Sequence, residues 1–195
     1  MSADDEKPAL RKRMRALRLV ADQKQGPEAA LELIRVFLPH VDALGLRPGT
    51  IVAGYWPIIT EIDVRPLLAR LAERGMTLAL PVLVGSGQAL LFRRWQPTAD
   101  LEDGPLGTSH PSAAEPEAVP DVVFLPMLAY DWHGTRLGQG GGHYDRTLNH
   151  LRGRGPIIAI GVGYAAQRLA RIPRSPHDEA LDWVLTEDGL TKVPR

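Results

Sequence analysis

Three short runs in this chain are apolar at consecutive positions: Ile51-Val52-Ala53, Val122-Val123-Phe124-Leu125 and Ile157-Ile158-Ala159-Ile160-Gly161-Val162. A strand with one face in water alternates apolar and polar residues. A strand that is apolar throughout is covered on both faces, as in a parallel sheet between helices. The runs predict strands over 50–56, 121–125 and 157–162, and further strands are expected over 76–80, 89–95 and 183–185. Pro57 and Pro81 are expected to stop the first and the 76–80 strand, and 84–87 reads as a turn. Helical patterns separate the strands. Residues 9–19 carry Leu10, Met14 and Leu17 at helical spacing, and residues 27–38 follow with Pro27 in a first turn and Pro39 at the end. A third helix runs from a cap at Asp63 through Arg74 to Gly75, and a fourth covers 143–151. The class is α/β: one domain over residues 1–195, with a mostly parallel central sheet flanked by helices and right-handed crossovers. Residues 96–120, rich in Pro, Gly, Ala and Glu, read as a surface excursion and candidate lid.

The glycine-rich stretch beyond the 121–125 strand carries the chemistry. Gly138, Gly140, Gly141 and Gly142 lie within five positions, with His143, Tyr144, Asp145 and Arg146 directly after them. Successive N–H groups in such a loop form a concave cradle for anions, and a helix starting near His143 adds its free N–H groups and dipole. Arg136 and Arg146 supply cations, and Asp145 supplies a hard oxygen suited to Mg²⁺. The stretch lacks the Lys-Ser/Thr ending of a P-loop and the spacing of the dinucleotide fingerprint. A plain flexible turn is the alternative, but the flanking charges favour phosphate. In an open α/β sheet, the end of a strand is also where ligands bind.

Other polar positions read less sharply. The basic helix (Arg11, Lys12, Arg13, Arg15, Arg18) is open to three readings: a solvated face, a nucleic-acid contact, or cations that reach a nucleotide. Trp56 and Glu61 after the first strand are either a core ring and a surface acid, or a wall and an acid for a planar ring. Asp145 and Asp178 together fit one Mg²⁺, whereas Asp131, His133, His143 and His177 lack the spacing of a zinc site. With 23 basic and 23 acidic residues, the formal charge is zero, which argues against a protein built to coat nucleic acid or anionic membrane. The absence of cysteine excludes disulfides and thiolate chemistry. The acidic start and the lack of a membrane-length apolar run lead to the expectation of a soluble, cytoplasmic protein.

Taken together, the stretch from Leu125 to Arg146 resembles the 5-formyltetrahydrofolate cyclo-ligases, also called methenyltetrahydrofolate synthetases. Supporting stretches are Lys7-Pro8-Ala9-Leu10-Arg11, Tyr55-Trp56-Pro57 with Glu61, Gly161 to Tyr164 with Gln167, and Pro176-His177-Asp178 leading to Asp182-Trp183-Val184-Leu185-Thr186-Glu187. The resemblance implies a NagB/RpiA/CoA-transferase-like fold. It implies ATP- and Mg²⁺-dependent cyclisation of 5-formyltetrahydrofolate to 5,10-methenyltetrahydrofolate, with ADP and phosphate released. It makes Lys7 and Arg11 ATP contacts, with Lys12 able to substitute. Arg136, Leu137, Gly138, Gln139, Gly140, Gly141, Gly142, His143 and Tyr144 form the nucleotide loop, and Gln139 to His143 also face the folate. Trp56 and Glu61 become folate contacts, Asp145 and Asp178 metal carboxylates, and Arg136 and Asp145 catalytic. The implied partners are small molecules, without nucleic acid or membrane, acting on a monomer. His143 and Gln139 depart from the residues usual in the family, and 106–111 matches its counterpart only loosely. The rival expectations are a nucleotide-binding regulatory module, a nucleic-acid binder, and a paralogue acting on a related N-formyl or amide compound.

Overall fold

The fold is that of a computed structural model, which describes residues 3–194. Part of the acidic start of the chain lies outside these described residues. A seven-stranded sheet has the order β11-β10-β9-β6-β1-β2-β3, with β1 Ile51–Ala53, β2 Thr77–Val82, β3 Leu91–Trp95, β6 Val122–Pro126, β9 Ile158–Val162, β10 Trp183–Thr186 and β11 Gly189–Lys192. The pairs β1–β2, β1–β6, β6–β9 and β9–β10 are parallel, and the outer pairs β2–β3 and β10–β11 are antiparallel. The sheet is therefore mixed, with the expected parallel centre. Two small hairpins stand outside it: β4 Glu102–Asp103 with β5 Ser109–His110, and β7 Ala129–Tyr130 with β8 Arg136–Leu137.

The apolar runs are buried on both faces, as their composition requires. Along β6, Val122 and Phe124 enter a cluster with Leu33, Phe37, Leu67, Leu68 and Leu71, while Val123 and Leu125 enter another with Leu148 and Leu151. The first cluster packs under α1 Ala3–Phe37 and α2 Arg65–Glu73, and the second under α3 His143–Arg152. Phe37 meets Phe124 edge-on with ring centroids 5.1 Å apart. A third, smaller cluster joins Met14 of α1 to Leu128, Ala129, Leu137 and Ile172.

The structure corrects several boundaries. The helices expected over 9–19 and 27–38 are one continuous 35-residue helix with Pro8 and Pro27 inside it. Pro27 removes one intrahelical donor, but contacts on either side hold the axis. Upstream, Asp22 accepts a hydrogen bond from the Tyr164 hydroxyl at 3.0 Å, and Gln25 reaches Glu187. Downstream, Ala29, Ala30, Leu33 and Phe37 are buried. Pro81 lies within β2 instead of ending it. Phe92, its partner on β3, turns its carbonyl away to Ala118, so the Pro81 nitrogen faces the side where β1 has already stopped at Ala53. No ladder bond is lost there. β10 is followed by a further hairpin strand, β11, which was not expected. Its two-residue turn is Glu187-Asp188, between the paired Thr186 and Gly189, and the Asp188 N–H donates to Thr186 Oγ1 at 3.2 Å. The N-cap of α2 is Val64 and not Asp63, which lies one residue before it and takes the Arg65 N–H on Oδ1 at 2.9 Å; Gly75, with φ +84°, follows the end of α2 as expected.

Candidate active site

Lys7, Arg11 and Arg18 fall within an arc of about 40° on α1, since each residue turns the helix by about 100°. All three line a cavity of about 420 Å³ at the carboxyl ends of β1, β2 and β6. Lys7 and Arg18 are buried, and Met14 on the same face packs beneath the cavity floor. Of the three readings of the basic helix, a solvated face does not hold for these cations, which face a cleft. Lys12 is exposed and does not line the cavity.

The glycine loop crosses the cavity opposite this helix. Gly140 has φ +110° and Gly142 φ +64°, backbone that a side chain adopts only with strain. Arg11 donates to the Gly138 carbonyl at 3.0 Å, and Arg15 donates to Gln139 Oε1 through Nε and a terminal nitrogen at 3.0 and 2.9 Å. A Cβ on Gly140 would come within 3.3 Å of the Arg11 guanidinium carbon. Gly142 is the N-cap of α3 and offers no side-chain cap. The first turn of α3, starting at the predicted residue, therefore presents its donors and its positive dipole end beside the cleft.

Two ion pairs flank the loop. Arg136, buried on β8, donates to Asp145 Oδ1 and to the Glu179 carbonyl, both at 2.6 Å, and Glu179 N–H also donates to that Oδ1 at 3.0 Å. Burial pushes the Arg136 guanidinium below its ordinary pKa, and Asp145 opposes that shift. Lys7 donates to Asp178 Oδ2 and to Ser175 Oγ, both at 2.7 Å, and Ser175 N–H donates to the same Oδ2. Among the described residues, each carboxylate thus commits one oxygen to the protein and leaves Oδ1 of Asp178 and Oδ2 of Asp145 available. Two such oxygens on one cavity fit a Mg²⁺ that takes most of its ligands from phosphate and water. Among the described residues, no group of three or more His, Cys, Asp or Glu side chains forms a dedicated metal cage.

The far end of the cavity is aromatic and acidic. Trp56 stands edge-on to Trp95 at 6.2 Å, with the Arg65 guanidinium 4.4 Å over its ring. Glu61 is almost wholly buried, its Oε1 3.4 Å from Arg18 NH1 and its Oε2 accepting the Ile58 N–H at 3.2 Å. Burial raises the Glu61 carboxyl above its ordinary pKa, and Arg18 opposes the rise. The Tyr144 phenol is likewise pushed up, by burial first and then by the charge of Glu61.

The site residues expected from the sequence line this one cavity, except Arg146, whose guanidinium turns back onto the Gly141 carbonyl and does not line it. Arg18, Tyr55, Thr108, Ser109, Ser175 and His177 line it too and were not assigned to it. Spacing could have found Arg18, eleven residues and about three turns beyond Lys7. Thr108 and Ser109 arrive through the β4–β5 hairpin, so part of the 96–120 excursion forms a wall. Asp131 stays outside the cavity: its carboxylate accepts the N–H groups of His133, Thr135 and Ile172 and fixes the turn between β7 and β8.

These parts define an α/β protein with a cavity lined by Lys7, Arg11, Arg136 and the glycine loop. A model of the 5-formyltetrahydrofolate cyclo-ligase family matches residues 3–187, and the chain belongs to that family. It is similar to the 5-formyltetrahydrofolate cyclo-ligase of Escherichia coli, with 31% identity over 185 residues covering 91% of this chain and 96% of that one. The Mycolicibacterium smegmatis 5-formyltetrahydrofolate cyclo-ligase is 33% identical over 181 residues, 86% of this chain and 89% of the relative. In structure, the chain resembles the 5,10-methenyltetrahydrofolate synthetase of Aquifex aeolicus, with a TM-score of 0.78, 27% identity, and 97% and 93% of the two chains covered. Among the described residues, no helix is long and apolar enough to cross a membrane.

Proposed function

We propose that this chain catalyses the ATP- and Mg²⁺-dependent cyclisation of 5-formyltetrahydrofolate to 5,10-methenyltetrahydrofolate. The formyl oxygen attacks the γ-phosphorus of ATP and ADP departs. The neighbouring folate nitrogen then attacks the activated carbon, and the carbon–oxygen bond breaks to release phosphate. A formyl oxygen is a poor leaving group, and its phosphorylation removes that obstacle. The protein's share of such chemistry is alignment and charge neutralisation.

The observation that carries this reading is the meeting of two recognition ends in one cavity. Lys7, Arg11, the glycine loop and the start of α3 line one end, whose cations and N–H donors suit phosphates, while Trp56, Glu61 and Tyr144 line the other, which suits a planar, donor-edged ring. Arg136 is the side chain assigned to the charge that develops on the transferring group, since its guanidinium is buried and already held by Asp145. The free oxygens of Asp145 and Asp178 are assigned to Mg²⁺, which when bound neutralises phosphate charge. Ionised Glu61 accepts hydrogen bonds from the N–H edge of the pterin, and Trp56 gives that ring a flat apolar surface. The same reading takes the fold as NagB/RpiA/CoA-transferase-like, supported by the parallel centre of the sheet. It also takes the chain as a cytoplasmic monomer.

The test is turnover. Purified protein with 5-formyltetrahydrofolate and Mg-ATP is expected to develop the near-ultraviolet absorbance of the methenyl product, with one ADP formed per product. Product formation without ATP, or none with it, would overturn the proposal.

A further inference from the structure

Arg18 is a cation that the reaction outlined above does not use. It is about 3% exposed, although it lies on a helix whose other arginines mostly face solvent. Its Nε donates to Thr60 Oγ1 at 3.0 Å, and its NH1 lies 3.4 Å from Glu61 Oε1. Both partners belong to the turn at 58–61, closed by the Glu61 N–H donating to the Ile58 carbonyl at 3.1 Å. That turn is strained. Ile59 has φ +56°, rare for a β-branched residue, and its side chain is 94% exposed, so no packing offsets the cost. The turn is held instead by polar bonds: Arg18 to Thr60, Arg18 to Glu61, and Glu61 back to the Ile58 N–H.

We infer that Arg18 is a positioning residue: it pins the strained 58–61 turn to α1 and keeps Glu61 ionised and aimed into the cavity, where its carboxylate reads the donor edge of the substrate ring. This rests on the assignment of Glu61 to the folate ring. The groups that face Glu61 are Arg18 from α1, Tyr55 from the end of β1 and Tyr144 from α3. Of these only Arg18 is a cation, so no neighbour replaces its charge. A buried carboxyl without that charge holds its proton to higher pH, and a protonated Glu61 presents a donor where the ring also presents donors.

The experiment measures the affinity of 5-formyltetrahydrofolate and, separately, of Mg-ATP by titration calorimetry across pH. The proteins are wild type, R18K, R18M, E61Q and the double variant R18M/E61Q. R18M is expected to lose about tenfold or more in folate affinity at neutral pH, the equivalent of a pKa displacement of about one unit, with less than about a twofold change for Mg-ATP. Its acid limb of folate binding moves to higher pH, and R18K recovers part of both losses. The double variant, which buries no lone charge, binds folate within about twofold of E61Q, because Arg18 acts through Glu61. The inference is overturned by a wild-type acid limb in R18M, by full additivity in the double variant, or by folate affinity in R18K and R18M equal to wild type. A wild type that does not bind the folate, or an E61Q that binds it normally, would instead refute the ring assignment, and this inference with it. Should R18M fail to fold, R18K and the neutral double variant still decide.

Discussion

Asp145 braces Arg136 and is proposed to hold Mg²⁺, and one substitution separates the two roles. Its Oδ1 accepts from Arg136 and from the Glu179 backbone, while its Oδ2 is the oxygen assigned to Mg²⁺. Asp145→Asn keeps an acceptor oxygen for both donors and removes the charge. A hydrogen bond to a charged group contributes about 1.5–3 kcal/mol, against about 0.5–1.5 for a neutral one. The Asp145 side chain is 26% exposed and Arg136 only 4%, so water already screens part of the pair. The expected stability loss is about 1 kcal/mol, which lowers the Tm of a chain this size by about 2–4 °C. The catalytic loss is expected to be far larger. Removing a charge that holds the metal and the transferring group is expected to reduce kcat by about a hundredfold or more, and a hundredfold is about 2.7 kcal/mol of barrier. Thermal unfolding gives the first quantity, and turnover at saturating Mg-ATP with a Mg²⁺ titration gives the second. Wild-type kcat and Mg²⁺ dependence in a variant melting a few degrees low would refute the catalytic assignment and leave Asp145 as a brace for Arg136. Asp145→Ala is the poorer test, because it strands a buried guanidinium and confuses the two effects.

The remaining predictions address the loop, a buried acid and the long helix. Gly140→Ala is expected to raise the ATP KM about tenfold or more while the folate KM changes little. It forces a side chain to φ +110° and against Arg11, so equal effects on both substrates would contradict the loop's assignment. Burial raises the Glu187 pKa above its ordinary 4.5, so the folded state holds that proton more tightly than the unfolded chain. Its stabilising contribution is present below 4.5 and lost as pH rises through the raised value. Glu187→Gln therefore gains on wild type as pH rises, measured by urea unfolding, and a pH-independent difference would refute this. Pro27→Ala fills an exposed helix-interior position, restores a backbone donor and is expected to stabilise by about 1–3 kcal/mol in the same assay; a loss of stability would show that the proline has a tertiary role.

The strands were legible because burial on both faces leaves a mark at every position, and Val122 to Leu125 alternate between two clusters with no polar break. The start of α3 was legible for a similar reason, as its glycines and charges sit side by side in sequence. What escaped depends on partners far along the chain. Gly26-Pro27 looks like a helix boundary locally, and it is contacts with Tyr164 and Glu187, more than a hundred residues away, together with the burial of Ala29, Ala30, Leu33 and Phe37, that keep α1 continuous. Pro81 looks like a strand stop until the early end of β1 leaves its nitrogen facing no donor-seeking neighbour. Arg18 shares its composition with the solvated arginines beside it, and its burial follows from where the 58–61 turn lands.

The long helix also bears on how two substrates meet. Lys7, at the end proposed for phosphate, and Arg18, at the end proposed for the ring, lie on one face, about 16 Å apart at 1.5 Å per residue. Pro8 directly follows Lys7 in the opening turns, residues 9–18 contain no proline, and Pro27 comes after Arg18. A loop carrying the same cations would let the two ends drift, and a displacement of about 1 Å in an aligned transfer is enough to cost about a hundredfold in rate. A rigid rod sets the spacing instead. The rod is anchored at both ends of the site: Lys7 on Asp178 and Ser175, Arg11 on the glycine loop, and Arg18 on the turn that carries Glu61. The stretch of α1 from Lys7 to Arg18, most of it already expected from the sequence as the 9–19 helix, therefore ties the end proposed for phosphate to the wall proposed for the ring.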